Sequence, residues 1–373
     1  MVPRSAYLHV PFCRHRCGYC NFAVVAGRLD LARRYLAAIE RELSWLETPR
    51  PVETLYFGGG TPTQLLPADF ARLAECVLKW HPLLPGAEWT VEANPADINA
   101  EYLRLLVQLG VTRLSLGSQS FSAHKLKLLE RDHAPEQIAW VVAEAQSLGL
   151  PVSLDLIFAT PGETLAEWQV DLTAALALGP QHISTYELTF EKGTNFWSRR
   201  LRGELVGADE ELQRAMYELA IDTLNSAGFE HYEVSNYALP GHRSRHNETY
   251  WMGNEYLAAG PGAARYLNGV RETNHRSTTT YLKRMLAGES PVAERDELSP
   301  EGRARECLVF GLRRLDGVSR HAFQEHTSFS LDELAGPKLR EFVQLGLLTD
   351  DGECIKLTRE GLMICDALGP ALL

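Results

Sequence analysis

The sequence predicts an α/β protein built on a parallel sheet, either doubly wound or a whole or partial barrel, followed by a second and smaller unit. Short segments rich in β-branched and aromatic residues alternate with helix-length amphipathic segments up to residue 229. Alternation of that kind implies parallel strands with helices outside. Glycines and polar residues fall at or just after the strand ends, where such folds build their sites. Beyond residue 229 the alternation stops.

Taken in order, AYLHV (6–10) is the first strand and residues 29–47 the first helix. ETLYFGG (53–59) leads into a helix over 62–80, and EWTVEA (88–93) into one over 99–109. RLSLGS (113–118) precedes a helix over 135–148, VSLDLIF (152–158) one over 164–178, and HISTYEL (182–188) one over 209–227, entered through Asp209. Residues 230–295 read as an irregular extension rich in His, Arg, Tyr and Gly, packed on the sheet. A second unit, 296–373, starts at Ser299-Pro300-Glu301, an N-cap with proline at the first helical position, and that helix reaches about Leu315. Ser319 starts a second helix and residues 331–346 form a third. DDGECIKLT then gives a hairpin before a last helix, an order that suggests a winged-helix-like domain.

The 373 residues suit about two domains. A formal net charge of −11 argues against a general nucleic-acid binder, although His242, Arg243, Arg245 and His246 form a local basic patch. No apolar run approaches the roughly 18 residues of a membrane helix, and MVPRSAYLHV lacks a signal-peptide pattern, so the expected location is the cytoplasm, with peripheral membrane contact left open. Seven cysteines without regular pairing are expected as reduced thiols; Cys76, Cys307, Cys354 and Cys365 read as buried small hydrophobes.

Cys13, Cys17 and Cys20 differ, because C-x3-C-x2-C puts three thiols on one loop. Three ligands leave a [4Fe–4S] cube with one iron unclaimed, open to something from outside the protein. A zinc site would need His9, His15 or a distant residue as a fourth ligand. Phe22 stands at the position of a fourth cysteine. Gly58, Gly59 and Gly60, followed by Thr61, end the second strand segment and let backbone approach a ligand. Glu92, Gln119 and Asp155 lie at or near successive strand ends, and Arg131 offers two parallel donors to a carboxylate.

The cysteine spacing, with Tyr19 before the last thiol, resembles the radical S-adenosylmethionine superfamily, which implies a partial (β/α)6 barrel. The resemblance implies an open iron that chelates the methionyl amine and carboxylate of S-adenosylmethionine. It also implies that Gly58–Gly60 and Thr61 meet the methionyl ammonium, that Glu92, Gln119, Arg131 and Asp155 hold other parts of the cofactor, and that Tyr7 and Phe22 lie close to the cluster. Within the branch containing oxygen-independent coproporphyrinogen III dehydrogenase, two departures count against that enzyme: Phe22 replaces a further cysteine, and only six residues precede Tyr7.

HNETYW (246–251) is similar to the H-N-x-x-Y-W motif of HemW-type haem chaperones. It implies a haem site using His246, Asn247, Tyr250 and Trp251; the alternative is that these residues pin the extension to the sheet. GPGAAR (260–265) places Ala264 where many relatives have histidine. The expected function is binding of haem and its transfer to acceptor apoproteins by a monomer or homodimer, with no nucleic acid involved. The alternative is a radical enzyme acting on a porphyrin, a decarboxylase or methyltransferase.

Overall fold

The computed structural model describes residues 3–373. The six expected strands are β1 (Ser5–Val10), β2 (Val52–Gly59), β3 (Leu83–Ala93), β4 (Arg113–Gln119), β5 (Val152–Phe158) and β6 (His182–Glu187). Each pairs in parallel with the one before it. That consecutive order is the winding of a barrel; a doubly wound sheet would reverse its order partway. The crossovers carry α1 (Ala32–Ser44), α2 (Pro67–Trp80), α3 (Ala100–Leu109), α4 (Pro135–Ser147) and α5 (Leu165–Ala177), with α6 (Glu210–Ser226) after β6. Their starts are chemically marked. Asn99 accepts from Tyr102 N at 2.8 Å, Asp209 from Leu212 N at 2.8 Å, and Thr164 forms a capping box with Glu167.

The two-residue period of the strands sorts their side chains. Leu8, Leu55, Phe57, Val91, Leu114, Leu116, Leu154 and Leu156 belong to the main hydrophobic core. The alternate positions, Tyr7, Tyr56, Glu92, Ser115 and Asp155, face the other way and are polar or aromatic. Register lines them up across the sheet: Tyr7 opposes Tyr56, Glu92 opposes Ser115, and Asp155 opposes Ser184.

The extension is not irregular, which corrects the sequence reading. β7 (Glu230–Glu233) and β8 (Asn236–Ala238) continue the sheet antiparallel beyond β6. After α7 (Arg245–Trp251), β9 (Leu257–Ala259) joins the opposite edge in parallel with β1, making nine strands. β10 (Ala264–Leu267), β11 (Val270–Asn274) and β12 (Val292–Glu297) then form a separate antiparallel sheet, with α8 (Thr278–Ala287) between the last two. These strands are short and mixed in polarity, so their sequence carries no clear strand pattern. The sequence does mark one of their turns: Asn268-Gly269, both at positive φ (52° and 78°), is the pair favoured in a two-residue hairpin turn.

The C-terminal unit follows the expected order: α9 (Pro300–Leu312), β13 (Val318–Ser319), α10 (Arg320–Thr327), α11 (Leu331–Gln344), then the hairpin β14 (Leu348–Asp350) and β15 (Cys354–Leu357). β13 pairs with β15 and completes a three-stranded wing. The unit has its own core around Leu308, Leu312, Phe323, Leu339, Phe342 and Ile355. It is tied to the rest by ion pairs, Arg313 with Glu233 at 2.8 Å and Arg359 with Asp222 at 2.7 Å among them. Cys76, Cys307, Cys354 and Cys365 are free thiols but only partly buried, another departure from the sequence expectation. Among the described residues no helix is long and apolar enough to cross a membrane.

Candidate functional site: a thiol cavity at the strand ends

The thiol loop leaves β1 and is fixed at both ends. Phe12–Cys13 pairs with Val25–Ala26, Gly27 N donates to Cys13 O at 2.9 Å, and Thr61 N donates to Phe12 O at 2.7 Å. Gly18 lies against Phe196, whose ring a Cβ would approach to 2.4 Å, so only glycine lets the loop settle there. Above the carboxyl ends of the strands lies a cavity of about 170 Å³, lined by all three loop thiols. Phe22, Gly59, Gly60, Thr61, Glu92, Gln119, Arg131 and Asp155 also line it. Two of the expected cofactor residues do not. Tyr7 lies deeper on the inner face, its hydroxyl 3.1 Å from His9 Nδ1, and Gly58 is packed beneath Glu92.

The glycine triplet has a packing reason of its own. A Cβ on Gly58 would lie 2.8 Å from Glu92 Cδ, one on Gly59 2.4 Å from the His9 ring, and one on Gly60 2.7 Å from Phe12 O. Gly59 N, at φ +106°, donates to Glu92 Oε2 at 2.9 Å while Tyr56 OH donates to Oε1 at 2.8 Å. Burial nevertheless holds the Glu92 carboxyl above its ordinary range. Burial and the neighbouring Glu92 push Asp155 up to about 7. The cavity floor thus carries two carboxyls of which at least one readily keeps a proton.

Arg131 is held over this floor by Gly117 O at 2.9 Å and Asn94 Oδ1 at 3.2 Å, and its Nη1 donates to Cys17 Sγ at 3.4 Å. Its Nε is buried without a hydrogen-bond partner. Asn94, a polar residue just after a strand that the sequence reading leaves without a cofactor role, also lines the cavity, receives His133 Nδ1 at 3.1 Å and donates to Asp132 at 2.7 Å. Its place just after Glu92 at the end of β3 was the available signal. Burial pushes the Cys13 thiol up to about 12 in the protein alone, so this thiol does not ionise readily without a bound cation.

No three thiol, imidazole or carboxylate groups among the described residues converge as ligands of a single metal ion. His9, one zinc partner considered above, has both ring nitrogens engaged, with Tyr7 and with Ala23 O at 2.9 Å. A loop of three thiols around a cavity, with an orphaned guanidinium nitrogen behind it, fits a polynuclear cluster and an anionic group beside it better than one zinc ion.

The H-N-x-x-Y-W residues are elsewhere, on α7. His246 is buried with Nδ1 2.9 Å from Thr54 Oγ1 and Nε2 2.8 Å from Tyr250 OH, and burial lowers its pKa to about 3. Both ring nitrogens are therefore occupied, as the pinning alternative expects. Asn247 N donates to Ser244 Oγ at 3.4 Å, and Trp251 packs edge-on to Tyr232 with ring centroids 5.9 Å apart.

A consecutively wound parallel sheet with a three-thiol loop over its strand ends defines the chain as a radical SAM protein. The radical SAM superfamily model matches residues 7–174 and the HemN C-terminal domain matches residues 298–364. The chain is 33% identical over 366 residues to the heme chaperone HemW of Bacillus subtilis (strain 168), covering 97% of each chain. It is 36% identical over 360 residues to that of Lactococcus lactis subsp. lactis (strain IL1403), covering 96% of this chain and 94% of the relative. The chain belongs to the HemW family. Among solved structures, coproporphyrinogen III oxidase (HemN) from Escherichia coli superposes with a TM-score of 0.86 at 21% identity, over 99% of this chain and 90% of that one, and shares its fold.

Proposed function

We propose that this chain binds haem and hands it to acceptor apoproteins, and that it carries a [4Fe–4S] cluster on Cys13, Cys17 and Cys20 beside S-adenosylmethionine. The observation that carries the reading is the likeness to heme chaperone HemW along 97% of both chains, including the C-terminal unit. The cluster, when bound, supplies one iron without a protein ligand and a source of single electrons. The chain's own contribution is placement. Gly59 and Gly60 keep the cavity edge free of side chains, and Arg131 presents a buried cation with an unused donor toward an anionic group. Asp155 and Glu92 accept from ammonium or hydroxyl donors, and Phe22, 67% exposed, covers the rim where the dehydrogenase branch has a thiol. The cytoplasm is the proposed location.

Anaerobic incubation with reductant, S-adenosylmethionine and either haem or coproporphyrinogen III tests the reading. Haem should remain with the protein through gel filtration and move to an apoprotein, while coproporphyrinogen III stays intact. Decarboxylation of coproporphyrinogen III coupled to cofactor cleavage would make the chain an enzyme instead.

A further inference from the structure

A second and larger cavity, about 690 Å³, opens between the extension and the C-terminal unit, away from the thiol loop. Its volume is in the range of cofactor sites. Tyr250, Tyr256 and Tyr266 line it. Tyr250 and Tyr256 meet edge to face at 4.7 Å and Tyr256 lies 6.3 Å from Tyr266, so they form one aromatic wall. From the C-terminal side come Arg303 on α9 and His326 in the last turn of α10.

These two side chains lack what their neighbours have. Arg271, on the same cavity, is tied to Glu306 by two bonds of 2.9 and 2.6 Å. Arg303 makes no ion pair among the described residues, and its Nε is buried without a hydrogen-bond partner. His326 is exposed at the cavity mouth and its ring makes no hydrogen bond among the described residues, which leaves both nitrogens free for a ligand. An aromatic wall, an unpaired guanidinium and a free imidazole match a flat apolar macrocycle that carries carboxylates and a metal with an open axial position.

We propose that this cavity is the haem seat, with His326 as the axial ligand of the iron and Arg303 pairing a propionate carboxylate. The assignment rests on the haem-binding reading above. Iron–imidazole bonding here requires only a neutral ring and no redox step.

The test is titration of the full chain with ferric haem, followed by the Soret band, for the wild type, His326→Ala, His326→Gln and Arg303→Gln, with circular dichroism to confirm folding. Both His326 variants should shift the Soret maximum and weaken binding by about tenfold or more. Arg303→Gln should weaken haem by about tenfold yet leave the dimethyl ester of haem, which lacks the carboxylates, bound as in the wild type. Wild-type affinity and spectrum in all three variants would overturn the seat while leaving the haem reading intact. A fourth variant, Cys307→Ser, alters the other thiol or imidazole lining the cavity; loss of haem there, while His326→Ala keeps it, would overturn the ligand assignment. A wild type that takes up no haem would refute the reading beneath the proposal.

Discussion

Asp155 carries a proton that its surroundings make hard to lose, because burial and the Glu92 carboxylate both disfavour its charge and push its pKa to about 7. In the unfolded chain an aspartate loses its proton near pH 4, so between about pH 4 and 7 the folded state binds a proton that the unfolded state does not. Stability from this group is present below that window and is lost as pH rises through 7. Asp155→Asn should remove that slope, so wild type should fall behind the variant by on the order of 2 kcal/mol between pH 5 and pH 8, read from urea midpoints. Parallel midpoints across the range would show that the slope lies elsewhere. Gly59 makes a steric prediction. Its φ is +106° and a Cβ would sit 2.4 Å from the His9 ring, whereas Gly86, at φ +73°, has open space. Gly59→Ala should therefore cost about 2–3 kcal/mol and Gly86→Ala only about 1. For the thiols, the reconstituted chain should hold about four irons, and Cys17→Ala should lose most of them in iron analysis.

The loop after β4 is governed by one buried cation. Lys125, 5% exposed, contacts Glu163 and lies 3.0 Å from Asp171. Asp171 in turn receives Phe121 N and Ser120 Oγ, both at 2.7 Å, so α5 anchors the turn that sets Gln119. Lys125→Met should leave two buried carboxylates without their cation and cost about 3–5 kcal/mol in urea unfolding. A loss below about 1 kcal/mol would mean that the cluster is protonated or solvated in the folded state. None of this network was legible in the sequence, since Lys125, Glu163 and Asp171 look like ordinary solvated charges and only the fold brings them together. What was legible was local: the helices entered at Asn99, Thr164 and Asp209, and the thiol loop with its strand-end partners. His246 shows the same divide, because the motif is readable while its partner Thr54 lies 192 positions away. The barrel strands stood out through their β-branched and aromatic content and the helix-length segments between them, and the short, mixed-polarity strands of the extension did not.

The molecule as a whole divides by core. The barrel and the C-terminal unit have separate hydrophobic clusters and meet through ion pairs, a short backbone bridge between Glu233 and Arg314, and Met363 packed on the barrel core. Removing residues 298–373, which leaves β12 whole, should preserve iron loading while weakening haem retention, measured as iron per chain and Soret absorbance after gel filtration. Glu233, 1% exposed, would lose Arg313 in that truncation, so Glu233→Gln should recover stability lost by the shortened barrel. Equal haem retention with and without the unit would place the seat wholly on the barrel. The pairing of β1 with β9 has a consequence for synthesis. Ala6 opposes Leu257 and Leu8 opposes Ala259, and a Cβ on Gly260 would lie 2.4 Å from His9 O. On the ribosome, the strand that precedes the thiol loop emerges long before its outer edge is covered, because its partner strand is not made until residues 257–259. A nascent chain halted before residue 257 should be open to protease near residues 5–10, and metal loading should follow release of the ribosome rather than accompany translation of the loop.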